Sequence, residues 1–440
     1  MPRNRRKHQA NGNSHNNDSD DDLSNDNASV YSYASQEPTA TDGYNNNNDN
    51  DGGGSPDGGA TGGFEKYEEK LLQAIENASD KSLQTRINAF QVINETLVHH
   101  YIPDFIDDRK MTLLDAIEKS IKKGKSAEQA WAARIIPLLV IQLEGAEEDM
   151  NEMIRVLKPV LLATALDGAA SYDARAKCCQ ALGLLNFLGS DDVGDLLPLM
   201  KTFEGIFAGS FLKGDNQPSS ANAEAAAMHS AALSAWALLL TQIPSGDLVS
   251  LVNSNNQMIP SIRKLTGMLQ SPHLDVRMAA GETLALILES GRSHDEDFLE
   301  PDLADLIEAT QKLATDAHKY RAKRDRKVQR ATFRDVHRYL EEDISPEITI
   351  KFGKETLLLD TWSLHHQYIC LRNALGFGMN VHLAENGFLR DVLALGAKLD
   401  ELERNAKAAK AEKKFINAAA FKARTITRGK NRDKRSAVIN

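Results

Sequence analysis

Apolar residues spaced three and four apart from residue 64 onward, a self-similar segment that keeps returning, and a sharp segregation of charge along the chain together predict an all-α fold. The expected architecture is an armadillo/HEAT-like helical-repeat solenoid with a disordered N-terminus and a basic C-terminal helix. At 440 residues and 41% apolar content the chain can bury a sizeable core. Cys178 and Cys179 are adjacent and Cys370 stands alone, so neither a disulfide framework nor a Cys-x-x-Cys metal pair is offered, which fits a reducing compartment. The start, MPRNRRKHQANGNSHNN, lacks the apolar stretch of a secretory leader, and no long apolar run follows it; neither a membrane partner nor export is expected.

Residues 1–63 are Asn, Asp, Ser and Gly with almost no aliphatics, and cannot bury enough apolar surface to offset chain entropy. A disordered head is expected, opening on a small basic cluster, Arg3, Arg5, Arg6 and Lys7, before an acidic remainder that nucleic acid would repel.

Helical repeats are expected over 64–343. ARAKCCQALGLLNFL (Ala174–Leu188) aligns with VRMAAGETLALILES (Val276–Ser290); Asp173 and Asp275 each lie two residues before Arg175 and Arg277, and small residues occupy the middle of both. Looser copies are TRINAFQVINETLV (Thr85–Val98), AEQAWAARIIPLLV (Ala127–Val140) and AAMHSAALSAWALLLTQI (Ala226–Ile243). Their spacing is close to the roughly 40–47 residues of HEAT and armadillo repeats, in which stacking builds a core that no single repeat could make. Asp173 and Asp275 are placed for an N-cap or an inter-repeat hydrogen bond. Trp131, Trp236, Cys178 and Cys179 fall in the apolar helices and are expected in the core. GSFLKGDNQPSSA (Gly209–Ala221) reads as an inserted loop.

Near the end of the repeats, HKYRAKRDRKVQR (His318–Arg330) carries seven Lys and Arg against one acid, Asp325. Read as one helix, it has cations at nearly every turn, which makes Lys319, Arg321, Lys323, Arg324, Arg326, Lys327 and Arg330 a secondary basic patch for a polyanion. Residues 344–398 follow as a separate packed segment. Its 351–362 stretch alternates enough for a short strand, with Phe352, Leu358 and Trp362 as anchors on the repeats. Gly376–Met379 reads as a turn, and its lone G-x-G lacks the context of a nucleotide loop.

The last stretch, 399–440, is the most unusual. Between Arg404 and Arg435 stand twelve Lys and Arg against two acids, a local +10 in a chain whose total is -10, leaving about -20 elsewhere. Ala, Lys and Glu favour a helix from about Leu402 to Arg428, roughly 40 Å long, with too few large apolar residues for a buried stripe. Such an arm suits nucleic acid: Lys413, Lys414, Lys422, Arg424, Arg428, Lys430, Arg432, Lys434 and Arg435 on phosphates, with Phe415 and Phe421 stacking on bases or filling an apolar niche. A solvated face and a nuclear import address at Arg428–Arg435 are the competing readings.

Catalysis is not expected. His365 and His366 beside Cys370, or His382 with Glu385, lack the further partners of an acid–base, nucleophilic or zinc site. No metal, cofactor or small-molecule substrate is anticipated.

KRDRKVQRATFRDV (Lys323–Val336), PEITIKFGKETLLLDTWSLHHQY (Pro346–Tyr368), LGFGMNVHLAENGFLRDV (Leu375–Val392) and FINAAAFKARTITRGKNRDKR (Phe415–Arg435) resemble the interferon-related developmental regulator family, and the likeness extends more loosely back to about Phe64. Ile426 and Thr427 depart from the family's more uniformly basic and small tail. The resemblance implies an armadillo-like body with a short C-terminal family domain. It further implies a cytoplasmic and nuclear protein with either of two activities. One is binding to translationally inactive ribosomes, their RNA and proteins, with the C-terminal helix in tRNA and mRNA sites. The other is transcriptional co-regulation, with co-regulator proteins as partners.

Overall fold

The computed structural model describes residues 61–189, 193–254, 259–316, 322–396 and 398. Antiparallel helices follow one another from α1 (Thr61–Asn77) and α2 (Leu83–His99) through the short α3 (Pro103–Asp107), α4 (Lys110–Lys123), α5 (Ala127–Gln142), α6 (Glu147–Leu166), α7 (Tyr172–Gly189) and α8 (Val193–Phe207). The repeats continue with α9 (Ala223–Leu240), α10 (Ser245–Asn253), α11 (Ile262–Met268), α12 (Leu274–Arg292), α13 (Glu300–Ala314) and α14 (Lys323–Glu342). A hairpin, β1 (Ile348–Phe352) and β2 (Glu355–Leu359), then leads to α15 (Trp362–Leu375), α16 (Met379–Glu385) and α17 (Gly387–Val392).

The helices form two rows. α2, α5, α7, α9, α12 and α14 make a central row in which each packs on the next, while α1, α4, α6, α8, α10 with α11, and α13 back it from one side. Sequence pattern explains the division. α9 is apolar nearly all round and buries residues on every face, as a helix enclosed on all sides must. α6 instead buries a single stripe, Met150, Met153, Leu157, Leu161 and Ala165, and turns its charged face outward. By length and composition α9 would pass for a membrane span, yet it is 72% buried between α7, α12 and α15.

Of the two roles expected of the aspartates, the N-cap is not taken, while the inter-repeat hydrogen bond is made at Asp275, whose backbone carbonyl accepts from Ser230 Oγ of α9 at 3.1 Å. Asp173 and Asp275 sit inside the first turns of α7 and α12, where they favour the helix dipole, while Ser171 accepts from the Ala174 amide. The arginine is the structural member. Arg175 Nε donates to Ala165 O at 2.9 Å, Arg277 Nη1 to Ser271 O at 2.7 Å, and Arg86 Nη1 to Asp80 O at 2.9 Å. In α5 a shorter donor stands in: Gln129 Nε2 bonds Ile121 O at 2.9 Å. Each side chain thus satisfies carbonyls left open where the preceding helix ends.

Trp236, Cys178 and Cys179 are fully buried, but Trp131 is only partly so, lying on an open side of α5. The small mid-helix residues allow close approach: a Cβ on Gly281 would stand 2.7 Å from the Phe333 ring of α14. Gly209–Ala221 is a loop, closed by Ser219 Oγ donating to Gly209 O and entered through a short 3-10 turn. The first strand starts at Ile348, earlier than the alternation suggested. Alternate residues of each strand are buried, Phe352 and Trp362 among the anchors, whereas Leu358 points to solvent at 39% exposed. Register explains this, because Leu358 pairs with Thr349 on the outer face and Leu357 and Leu359 take the inner one.

A chain spanning 64–396 should fold by itself, because the stacked repeats supply their own core and the last carbonyl used, Gly396 O, is already bonded by Arg390. Circular dichroism should show a strongly helical protein with one cooperative melt. Aggregation relieved only by adding 397–440 would show that the basic run is a structural element of the body.

Candidate functional site

Residues 344–396 lie along the central row and run back toward its beginning. The first fixed point is Glu289 at the end of α12. Its carboxylate accepts from Trp362 N (2.7 Å), Ser363 N (2.9 Å), Ser363 Oγ (3.0 Å) and Ser345 Oγ (3.3 Å), closing the start of α15 from outside. Burial pushes the Glu289 carboxyl upward, against those four donors. Along α15, His366 Nε2 donates to Ser234 O at 2.8 Å and Gln367 to Thr241 Oγ1 at 3.0 Å, both on or beside α9.

The chain then reaches α2 and α5. At Gly378 the backbones touch so closely that a Cβ would stand on the Val98 carbonyl. His382 Nε2 donates to Leu97 O (3.0 Å) and Val98 O (3.1 Å), and Asn386 Nδ2 to Ile141 O (2.6 Å). The Asn386 side chain also caps α17 through the Leu389 amide. Arg390, 2% exposed, bonds Glu355 Oε2 at 2.8 Å, Leu383 O at 3.0 Å and Gly396 O at 2.8 Å, tying hairpin, α16 and the outgoing chain into one knot. The face of the row that a solenoid would offer to a partner is therefore crossed by the protein's own segment.

The predicted RNA-contacting residues, Lys413, Lys414, Phe415, Phe421, Lys422, Arg424, Arg428, Lys430, Arg432, Lys434 and Arg435, all lie outside the described residues. So do Lys319 and Arg321 of the secondary patch. The remaining five open α14, and the patch is not one helix from His318 to Arg330: α13 ends at Ala314, Ala322 is extended, and α14 begins at Lys323. Only the part of the run from Lys323 onward is helix α14. Nor do cations ring the helix. Lys323 and Arg324 are exposed and Arg326, Lys327 and Arg330 half-buried, while Gln329, Phe333, Val336 and Leu340 form a buried stripe. Gln329 receives Arg277 Nε and Nη2 at 3.1 and 2.6 Å and passes the chain of bonds to Asp316 at 3.0 Å, which locks the patch onto α12.

The histidines serve packing. His365, 1% exposed, meets Trp362 edge-on, and His229 shares a 2.8 Å bond with Ser210 Oγ. Burial lowers the His382 pKa and takes those of His229 and His365 down to about 4. The unfolded chain takes up these protons near the ordinary value of about 6.5 and the folded chain resists. It therefore loses stability as pH falls from about 6.5 toward 4, by about 1.4 kcal/mol per unit for each of His229 and His365. Burial disfavours charge on His366 too, but the Cys370 sulfur at 3.6 Å favours it and wins, so His366 shifts upward; its contribution grows as pH falls toward about 6.5 and is complete below that, so it leaves the loss in the acid range standing. Urea unfolding at pH 7 and pH 5 should show a lower midpoint at pH 5; equal midpoints would mean these rings titrate freely in the native state. Among the described residues no group of three or more His, Cys, Asp or Glu side chains is placed to hold a metal ion.

Two family profiles match the chain. The one described as "Interferon-related developmental regulator (IFRD)" covers residues 28–341, starting well before Phe64, and "Interferon-related protein conserved region" covers 386–436, from the Asn386 anchor through the basic run. Interferon-related developmental regulator 2 of Mus musculus is 39% identical over 378 residues, 85% of this chain and 84% of the relative. Interferon-related developmental regulator 1 of Homo sapiens is 38% identical over 377 residues, 85% of this chain and 82% of the relative. With both profiles matched and relatives aligned over most of their length, the chain belongs to the interferon-related developmental regulator family.

Proposed function

We propose that this regulator is a non-catalytic ribosome-binding factor that suppresses translation, its helical body docking on the ribosome and its basic segment beyond residue 398 entering an RNA-walled channel at mRNA and tRNA sites. The observation that carries the reading is the net charge of +10 between Arg404 and Arg435 in an otherwise acidic chain. That run begins eight residues after Gly396, whose carbonyl Arg390 bonds, in a segment also fixed to the body by Asn386. A fixed exit from the body shortens the search of a basic arm for its channel, and the phosphate field supplies affinity without sequence-specific contacts. The exposed Lys323 and Arg324 at the start of α14 add a second cationic contact on the body.

Sedimentation of cell extract through sucrose tests this. Co-migration with 80S monosomes that survives nuclease supports the reading, and a purely nuclear, ribosome-free pool sinks it. The second outcome favours a nuclear co-regulator scaffold with Arg428–Arg435 as import address. In that case the partner surface has to be sought away from the central row, since 344–396 crosses it.

A further inference from the structure

Between α5, α7, α9 and α15 lies a small open cleft of about 50 Å³, lined by two cations, Arg134 from α5 and Lys177 from α7. No carboxylate of the described residues comes within ion-pair distance of either. The Arg134 guanidinium lies 5.3 Å from the Trp131 ring centroid, and its Nε is buried without a hydrogen-bond partner. Lys177 Nζ donates to Gln180 Oε1 at 3.0 Å. Burial, then the nearby Arg134, lower the Lys177 pKa; Asp173, one turn earlier on α7, opposes them more weakly. Two like charges in a half-desolvated cleft repel one another and lose hydration, a cost that a bound anion would remove.

The other polar groups indicate which anion. Ser234 and Asn373 line the cleft from α9 and α15; the Ser234 hydroxyl already lies 3.6 Å from Cys370 Sγ, and Asn373 brings a side-chain amide. A guanidinium, an ammonium and an amide on three different helices suit the three or four oxygens and double charge of a phosphoryl group. Pro137, Leu184 and Leu238 supply an apolar part of the wall, which lowers the local dielectric around the cations.

We propose that this cleft is an anion site for a phosphoryl group, free or carried on a small molecule, held by Arg134 and Lys177. Because α15 supplies one wall, the anion would also fasten the 344–396 segment to the central row.

Isothermal titration of sodium phosphate and of glycerol 3-phosphate into the full chain, against sodium chloride at matched ionic strength, tests the assignment. Saturable binding of at least one is expected, weakened tenfold or more by Lys177→Gln and lost in the double variant Arg134→Gln with Lys177→Gln. Tighter binding of the ester would point to a carried phosphoryl group, and equal binding to the free ion. In phosphate-free buffer the double variant should melt at or above the parent temperature, because the repulsion is gone. Binding that persists unchanged in the double variant would move the site to basic residues elsewhere and overturn the proposal, as would chloride matching phosphate. A double variant that melts well below the parent without phosphate would show the two cations to be packing groups, with the same result.

Discussion

Replacing Lys422, Arg424 and Arg428 together by glutamate should weaken ribosome binding by orders of magnitude while leaving the melting temperature nearly unchanged. Each substitution removes one phosphate neutralisation and adds a repulsion, so the slope of log affinity against log salt should become shallower by roughly 2 to 3 units. Stability should hold because these positions lie beyond Gly396, after the bonds that close the body. Phe415 and Phe421 separate two ways of holding the arm. If they stack on bases or enter an apolar niche, alanine at both costs about 1 to 3 kcal/mol of binding per base and leaves the melt untouched. If they fold back onto the repeats, the melt falls. A triple glutamate variant that sediments with monosomes as well as the parent does would end the channel-insertion reading and favour the nuclear one.

The repeats were readable in the sequence because their signal is local. Spacing of three and four, small residues at mid-helix and a recurring Asp-x-Arg all sit within one helix of one another, and the central row follows from them. The role inside that motif was not readable. An aspartate near a helix start looks like a cap, and only the fold shows that Arg175 and Arg277, like Arg86 after Gln84, reach back to carbonyls at or just past the end of the helix before. The basic run at 318–330 misled for a related reason: composition favours helix throughout, while α14 starts only at Lys323 and is held by a buried stripe from Gln329 to Leu340. Least readable was 344–396, whose partners are remote. His382 bonds a carbonyl 285 residues earlier, and Asn386 one 245 earlier. A polar residue inside an apolar helix was the available sign, and Glu289, set between Leu288 and Ser290 in α12, was one such clue.

Removing Arg390 should be the most damaging single change to the body. Its guanidinium joins three partners on separate pieces of chain: the Glu355 carboxylate on β2, the Leu383 carbonyl on α16 and the Gly396 carbonyl on the way out. Both members of the ion pair are buried, at 2% and 10% side-chain exposure. Water cannot take over, and Arg390→Ala leaves a carboxylate without its guanidinium partner in a low-dielectric setting, at a cost of about 3 to 5 kcal/mol. That is a large share of the roughly 5–15 kcal/mol by which a folded domain is stable. Lysine should not rescue it, since one ammonium cannot reproduce a planar fork aimed at three acceptors. Pairing Arg390→Met with Glu355→Leu should recover much of the loss, because the stranded charge goes with its partner. Denaturant unfolding of the two single variants and the double gives the coupling energy directly. Ribosome sedimentation of Arg390→Ala adds a readout that bears on the proposed function. With the Gly396 carbonyl released, the exit of the chain toward the basic run is no longer fixed, and binding should fall although no basic tail residue has been altered. An Arg390→Ala protein that unfolds within about 1 kcal/mol of the parent would show that the knot is not what holds residues 344–396 against the central row.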